Sequence, residues 1–251
     1  MNASSPLRQS LQGYLLTLLA ICLLGCGDQR DIRDYYFPAR ELINTEGKVY
    51  AYENLGTLPG PDTIYWYYLG VDLDTALYLA VTRYGDNMEP QQLAREEITN
   101  EGVRLRELTL LGVDSAGRAV PTTTDIQYDL SFPFYLGEAT APAGYRLSYS
   151  DRAGQQTFVT LDRRYRSDTT IYVLGAEYDA VVFDLAGEVS LRDAVDGDIS
   201  PSFAGYEVYA RGLGLVEYVR NLGAAGSLGG RLVGRVPMPE FAGRVPRQGG
   251  R

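Results

Sequence analysis

Short runs of aromatic and aliphatic residues that alternate with polar residues are the main pattern of the chain from about residue 45 onward. Runs at 48–53, 63–69 and 76–83 are rich in Tyr, Val, Leu and Ile, which favour β-strands. Similar runs occur at 103–110, 144–149, 157–164, 170–174, 178–185, 206–220 and 231–236. Because the alternation has a period of two, it predicts strands that turn one face toward a core.

Two segments also fit a helix. Residues 35–44 fit one short helix beginning at Pro38, since Pro is favoured at the first helical position. Residues 91–98 have a helix-forming composition, but they lie between strands and end in Asn-Glu-Gly, so we assign them to a strand. The sequence therefore predicts a mainly β fold, an antiparallel curved sheet or half-barrel with at most one or two short helices.

The phase of the alternation and the turn residues add local predictions. Apolar residues stand at odd positions, Val103 and Leu105, and then at even positions, Leu108 and Leu110, so we expect a β-bulge near residues 106–107.

The pattern Asp-x-Ala-Gly predicts hairpin turns, because Asp caps its own backbone and Gly accepts the left-handed conformation. This pattern occurs at 114–117, 151–154 and 184–187.

The first 26 residues have the pattern of a processing signal. A single charge, Arg8, precedes the apolar run 14–24, whose 11 residues are too short for a membrane helix of about 20. The run ends in Leu-Leu-Gly-Cys26, which resembles the lipobox of bacterial lipoproteins. The resemblance implies that Cys26 takes up diacylglycerol, with palmitate among the acyl chains, and becomes the first mature residue. It also implies a membrane anchor, in the outer membrane, facing the periplasm or the cell surface.

These signals divide the chain into segments. Residues 1–25 would be the lipoprotein signal peptide, and residues 26–44 a lipidated tether with a short helix. Residues 45–242 would form a single antiparallel β domain, with an internal break near 137–144 where Pro and Gly interrupt the strands. The basic tail 243–251 would be disordered.

Composition excludes much chemistry. The chain has no His, 2 Cys and one Lys, Lys48, so it cannot build a Ser-His-Asp or Cys-His system. Loss of Arg8 with the signal leaves 22 basic and 32 acidic residues, a net charge of −10, which disfavours nucleic acid as a partner. We expect neither catalysis nor a cofactor. An enzyme would have to rely on carboxylates, as a glycosidase does.

One acidic loop is a candidate metal site. Asp193, Asp196 and Asp198 surround a Gly and offer the oxygen ligands that Ca²⁺ prefers. The loop lacks the full ligand spacing of a helix–loop–helix calcium site, and an Asx turn that enters the next strand explains the same residues.

Tyr is abundant, with 20 Tyr against 7 Phe and 1 Trp. Its apolar body and polar tip suit a concave sheet face that is partly open, although strand propensity alone also favours Tyr. The residues we expect to line such a ligand-binding face are Tyr65, Trp66, Tyr67, Tyr78 and Tyr209.

A second resemblance concerns residues 206–220. Ala210, Gly212, Gly214 and Val216 are similar to a late strand of bacterial envelope lipoproteins, some of which form an open half-barrel like that of the lipoprotein-carrier family. The resemblance implies a sheet wrapped around a helix or a cavity, and a binding role. Two Gly in one long strand also suggest a bend or close packing.

Three classes of function remain open. The preferred one is a non-catalytic envelope lipoprotein that binds an apolar or aromatic-compatible ligand in its concave, Tyr-rich face. A structural or accessory subunit of an envelope complex would instead have a filled core and an outer apolar patch. A carboxylate-dependent hydrolase would bring acids with shifted pKa values together in a cleft. The expected partners are the membrane, through Cys26, and a hydrophobic ligand or an envelope protein.

Overall fold

A computed structural model describes residues 29–244 except 45, 86, 114–117, 138–141, 151–153 and 194–196. Within these residues the chain is mainly β, which confirms the predicted fold class. The described residues contain two short helices, α1 (Ala39–Asn44) and α2 (Met238–Arg244). None of the helices in this part of the chain is both long enough and apolar enough to cross a membrane.

The strands of the described residues cover most of the chain. They are β1 (Arg30–Asp31), β2 (Lys48–Asn54), β3 (Thr63–Leu73), β4 (Ala76–Tyr84), β5 (Pro90–Ile98), β6 (Gly102–Val113), β7 (Ala119–Thr123), β8 (Asp125–Tyr128), β9 (Leu130–Pro133), β10 (Tyr135–Leu136), β11 (Ala143–Ser150), β12 (Gln156–Val173), β13 (Ala176–Asp193), β14 (Gly197–Ile199), β15 (Ser202–Ala210), β16 (Gly214–Asn221) and β17 (Ser227–Pro237). Short 3₁₀ turns lie at Arg33–Tyr35 and Gly223–Ala225.

Fifteen of the described strands form one antiparallel sheet. Its order is β7-β6-β5-β4-β3-β2-β17-β16-β15-β13-β12-β11-β8, with β14 beside β13 and β9 beside β6. Most neighbours are successive hairpin strands, but β2 pairs with β17 and so joins the two ends of the domain in the middle of the sheet. The strands β1 and β10 form a separate two-stranded ladder.

The sheet curves until its two ends approach each other. The terminal strands β7 and β8 are joined by Thr124, whose backbone N and Oγ1 both donate to the Leu108 carbonyl oxygen, at 3.1 and 3.0 Å. The chain then returns to β6, where the Leu105 N donates to the Asp129 carbonyl oxygen at 2.8 Å. This segment therefore passes between β6 and β11 and brings the sheet close to closure.

Residues 30–44, which we call the N-terminal plug, fill part of the interior of the curved sheet. Ile32 and Leu42 are fully buried in the main core. Helix α1 packs closely on β3. A Cβ atom at Gly70 on β3 would lie only 2.1 Å from the Ala39 carbonyl oxygen, so this close approach requires Gly. Much of the segment assigned from the sequence to a tether is therefore a buried structural element.

Buried tyrosines connect β2 to the backbone of the β15–β16 hairpin. The hydroxyls of Tyr50 and Tyr52 donate to the carbonyl oxygens of Leu213, at 3.2 Å, and Leu215, at 2.9 Å. Burial raises the pKa of Tyr50 to about 12. Each ring places apolar area in the core while its hydroxyl finds an acceptor, which accounts for part of the Tyr excess.

Several local predictions are confirmed. Residues 90–98 form a strand, and α1 begins one residue after Pro38. Arg95 pairs with Glu107 and Glu96 pairs with Leu105, so Arg106 is the extra residue of the expected bulge.

The turn prediction at 184–187 is wrong. Strand β13 continues through this segment without interruption. Gly187 serves close packing, because a Cβ atom there would lie 2.2 Å from the ring of Phe203 on β15. The segments 114–117 and 151–153 of the other two copies lie outside the described residues.

Residues 206–220 form a hairpin and not one long strand. The turn between β15 and β16 contains Gly212, with φ +72°, and Gly214, with φ +92°, opens β16. A Cβ atom at Gly214 would also lie 2.5 Å from the ring of Phe37, whereas one at Gly212 would meet nothing within 4 Å. The expected bend and the expected close packing are therefore both present at the end of one hairpin.

Substitution of these two glycines should separate backbone strain from packing. We expect Gly212→Ala to lower the free energy of unfolding by about 1–2 kcal/mol, the cost of a left-handed Ala. Gly214→Ala should cost clearly more, because Phe37 is stacked on Tyr68 at 4.0 Å between ring centroids and cannot move freely. Urea denaturation of both variants measures the difference, and equal losses would show that Phe37 does not constrain this position.

Candidate functional site

A cavity of about 300 Å³ lies inside the curved sheet, beside the N-terminal plug. Tyr36 and Phe37 of the plug form part of its wall and belong to the main core. On the other side, Leu105, Leu108 and Leu147 of β6 and β11 form a second, smaller apolar cluster. Both clusters contribute to the wall, so the cavity occupies the space where the two cores do not meet.

Strand alternation decides which side chains reach the cavity. Trp66 and Tyr68 on β3 line it, and so do Val81 and Arg83 on β4. The members of each pair are two residues apart and therefore share a face. The strands β5, β6, β9, β11, β12, β15 and β16 supply the rest of the wall.

An almost completely buried ion pair lies in this wall. Arg163 donates from Nε to Oε2 of Glu207 at 2.6 Å and from Nη2 to Oε1 at 3.3 Å, and the two side chains are 9% and 2% exposed. The Tyr209 hydroxyl donates to Oε2 at 2.9 Å, and Nη2 of Arg220 approaches Oε1 at 3.5 Å. Nη1 of Arg163 donates to the Ser131 carbonyl oxygen at 2.9 Å. Both oxygens of Glu207 thus accept hydrogen bonds, as burial of a charge requires.

Arg163 and Glu207 each stabilise the charged form of the other. Burial alone would raise the pKa of Glu207, but the charge and hydrogen bonds of Arg163, together with Arg220 and Tyr209, outweigh burial and keep that pKa below its usual value. Burial lowers the pKa of Arg163, but the charge and hydrogen bonds of Glu207, together with Tyr209 and Tyr145, more than compensate, so this pKa is raised above its usual value. Burial, followed by the charge of Glu207, raises the pKa of Tyr209 well above its usual value. At neutral pH the three groups are therefore a carboxylate, a guanidinium and a neutral hydroxyl donor.

A second carboxylate, Glu96 on β5, reaches the cavity in different surroundings. It accepts a hydrogen bond from the hydroxyl of Tyr36 on the plug. Burial raises the pKa of Glu96, while the Tyr36 hydrogen bond and the charge of Arg163 oppose this effect. The pKa values of the two cavity carboxylates are thus shifted in opposite directions. Catalytic sites have this property, and so do structural ion-pair networks.

Aromatic rings hold two further guanidinium groups at the cavity. The Cζ atom of Arg83 lies 4.3 Å from the ring centroid of Trp66, and the Trp66 ring stacks on Tyr218 at 5.4 Å. Arg220 lies 5.8 Å from the ring centroid of Tyr218. Burial, and to a lesser extent the neighbouring charge of Arg220, lowers the pKa of Arg83.

The structure brings together two of the five predicted ligand-binding residues. Trp66 and Tyr209 line the cavity. Tyr65, Tyr67 and Tyr78 do not line it, and they alternate with inward-facing neighbours on β3 and β4. Their contacts agree with an outward position. Tyr65 packs on Phe241 of α2, Tyr67 donates to the Glu46 carbonyl oxygen at 2.9 Å, and Tyr78 lies under Arg95.

The charged residues of the wall were not predicted from the sequence, although the alternation contains a signal for them. Leu79, Val81 and Arg83 stand at every second position of β4, so Arg83 follows the apolar phase. Leu161 and Arg163 on β12 do the same. A charge in the apolar phase of a strand marks a side chain that points inward.

Other predicted site residues lie partly or wholly outside the described residues. Cys26 and Asp196 are outside them, and Asp198 is exposed on β14. Within the described part of the chain, no group of three or more Cys, Asp or Glu side chains could hold a metal ion.

Comparison with known proteins gives a likeness of fold. Neither a protein-family model nor a curated protein sequence matches the chain. A solved structure from Parabacteroides distasonis, described as a "putative lipoprotein", matches with a TM-score of 0.51 and 12% identity over 82% of this chain and 100% of that chain. A structure from Bacteroides fragilis, described as a "putative exported protein with YmcC-like fold", matches with a TM-score of 0.42 and 9% identity over 76% of this chain and 94% of that chain. At these identities, the first match indicates a similar fold.

The buried pair should respond to substitution as one unit. We expect Glu207→Ala to lower the free energy of unfolding by about 3–5 kcal/mol, because Arg163 would remain buried without its carboxylate. The double variant Arg163→Met/Glu207→Leu should lose less than the sum of the two single variants, since both charges are then removed together.

Urea denaturation measures these losses, and Arg146→Ala is the matched control. Arg146 pairs with Asp162 at 3.2 Å with both side chains about half exposed, so its removal should cost less than about 1 kcal/mol. A loss for Glu207→Ala as small as that of the control would contradict the importance of the buried pair.

Proposed function

We propose that this protein is a non-catalytic lipoprotein of the bacterial envelope that binds an apolar or aromatic-compatible ligand inside its curved sheet. The observation that carries the proposal is the cavity of about 300 Å³ beside the N-terminal plug. Protein interiors are close-packed, so a space of this size is unusual unless something occupies it. Its volume falls at the lower end of the range for small-molecule sites, roughly 300–1,000 Å³.

The chemistry of the wall supports an apolar ligand. Aromatic side chains such as Trp66 and Tyr68 cover one part of the wall, and aliphatic side chains such as Leu108, Leu147 and Val159 cover another. The polar residues of the wall are Gln92 and Ser131 and the charged Arg83, Glu96, Arg163, Glu207 and Arg220. Small-molecule sites commonly have this composition, in which apolar contacts provide affinity and a few polar groups fix the orientation.

The envelope assignment rests on the N-terminal sequence and is supported by the fold. The lipobox-like segment that ends at Cys26 would provide the lipid anchor, in the outer membrane. Residues 27–29 separate Cys26 from β1, so an extended chain would hold the domain within about 15 Å of the lipid. The similar structure from Parabacteroides distasonis is described as a "putative lipoprotein", which agrees with such a location.

A carboxylate-dependent hydrolase is the second candidate, because Glu96 and Glu207 both reach the cavity with oppositely shifted pKa values. The hydrogen bonds of Glu207 weigh against it, since donors from Arg163 and Tyr209 already occupy its oxygens. Hydrolysis of a glycoside or an ester that Glu96→Gln abolishes would favour this candidate.

An accessory subunit of an envelope complex would need no unfilled interior, and the cavity therefore favours the binding role.

A bulky residue inside the cavity should block binding. Ala94 on β5 lines the cavity, whereas Ala80 on β4 lies between the buried Leu79 and Val81 and therefore faces outward. We expect Ala94→Trp to abolish binding of a neutral fluorescent probe such as N-phenyl-1-naphthylamine, and Ala80→Trp to leave it unchanged. Fluorescence titration of the full-length protein measures both, and Ala94→Leu provides a smaller step should Trp prevent folding. Equal affinity of native, Ala94→Leu and Ala94→Trp proteins would rule out this cavity as the binding site.

Acylation should depend on Cys26 and not on Cys22. We expect cells given an alkyne-bearing palmitate analogue to label the native chain and the Cys22→Ala variant, and to leave Cys26→Ala unlabelled. Mass spectrometry of the N-terminal peptide should place the added lipid on Cys26. Labelling that survives Cys26→Ala would contradict the anchor.

A further inference from the structure

Two arginines stand together at one side of the cavity. Arg83 on β4 and Arg220 on β16 line the cavity and also a neighbouring pocket of about 220 Å³. Residues 58–61, in the loop between β2 and β3, form another wall of that pocket. We call Arg83, Arg220 and the indole N–H of Trp66 the arginine site. The aliphatic cluster of β6 and β11 lines the same cavity.

The charges of the cavity wall do not balance. Three guanidinium groups, those of Arg83, Arg163 and Arg220, face two carboxylates, those of Glu96 and Glu207. Glu207 lies 2.6 Å from Arg163 but 3.5 Å from Arg220, so Arg163 is its main partner. Even with both carboxylates ionised, the wall carries one excess positive charge.

Arg83 has the fewest polar contacts of the three. Among the described residues it forms no ion pair within 4.0 Å. Its polar neighbours are Oε1 of Gln92, at 3.5 Å, and the hydroxyl of Tyr218. A guanidinium has five N–H donors, so most of those on Arg83 are available to a ligand.

The other two members of the arginine site also have donors without acceptors. Within the described residues, Nε of Arg220 and Nε1 of Trp66 are buried without an acceptor. A buried donor without an acceptor is unfavourable, and an anionic oxygen would satisfy it with a strong hydrogen bond. Arg83 lies 4.3 Å from the Trp66 ring centroid, and Arg220 lies 5.8 Å from the centroid of the Tyr218 ring that stacks on Trp66, so the two guanidinium groups flank one aromatic stack.

We infer that the cavity takes a single-chain anionic amphiphile, whose carboxylate or phosphate head binds the arginine site and whose chain lies along Leu105, Leu108 and Leu147. This inference rests on the proposed function and adds the chemical class of the ligand. A cavity of about 300 Å³ lies at the lower limit of ligand sites, which suits one short acyl chain better than the two chains of a phospholipid.

The experiment compares amphiphiles that share one tail. Decanoate, decyl phosphate and decanol are titrated by calorimetry into the full-length protein, below their micelle concentrations. We expect decanoate or decyl phosphate to bind at least about tenfold more tightly than decanol, a difference of ~1.4 kcal/mol. The tighter of the two acids identifies the head group as carboxylate or phosphate. This comparison uses the native protein and needs no variant to fold.

Matched variants locate the head. Arg83→Gln and Arg220→Gln should each remove most of the preference for the acids while changing the affinity for decanol by less than about twofold. Arg95→Gln is the control, because Arg95 lies over Tyr78, away from the cavity, and pairs with Glu107 at the surface. It should leave all three affinities unchanged.

The possible failures are distinguishable. Equal binding of decanol and the acids to the native protein would overturn the anionic head and leave the proposed function intact. A preference for acids that survives both Arg83→Gln and Arg220→Gln would overturn the arginine site. Absence of binding by all three amphiphiles would overturn this inference, and failure of the neutral probe to bind as well would overturn the proposed function.

Discussion

The width of the space inside the curved sheet is the constraint on which the rest of the structure depends. A closed sheet of about eight strands is just filled by its own inward side chains, and sheets with more strands leave room. The sheet here has more strands than that, and the N-terminal plug occupies part of the space that they leave. The cavity begins where the plug ends. The position of Tyr36 and Phe37 therefore sets both the limit of the core and one wall of the candidate site.

The features of the fold that could be predicted are those determined by sequence neighbours. The period of two gave the strands, Pro38 marked the start of α1, and the change of phase located the bulge at Arg106. Contacts between distant segments could not be predicted in this way. From the local sequence alone, Gly187 fits a turn. Its actual role depends on the ring of Phe203, which lies on the adjacent strand. The burial of residues 30–44 likewise depends on a sheet whose strands lie far along the chain.

The candidate site was harder to predict for the same reason. A strand face is inverted by a shift of one residue, so Trp66 lines the cavity while Tyr65 and Tyr67 face outward. The interior charges were missed because an Arg or a Glu in a strand is usually solvated. Burial of Arg163 is possible because Glu207, 44 residues further along the chain, lies beside it. No local pattern predicts that Glu207 lies beside Arg163, although the apolar phase of the strand does indicate that Arg163 points inward.

The closure of the sheet also determines how its edges meet other molecules. An open antiparallel sheet ends in two strands whose free N–H and C=O groups can recruit a strand from another chain. Here the strands at the two ends, β7 and β8, are joined by Thr124 alone, and that residue is itself bonded to β6. A foreign strand therefore has little room to insert between them. The connection that keeps the sheet curved around its cavity thus also restricts the pairing of its two end strands with another chain.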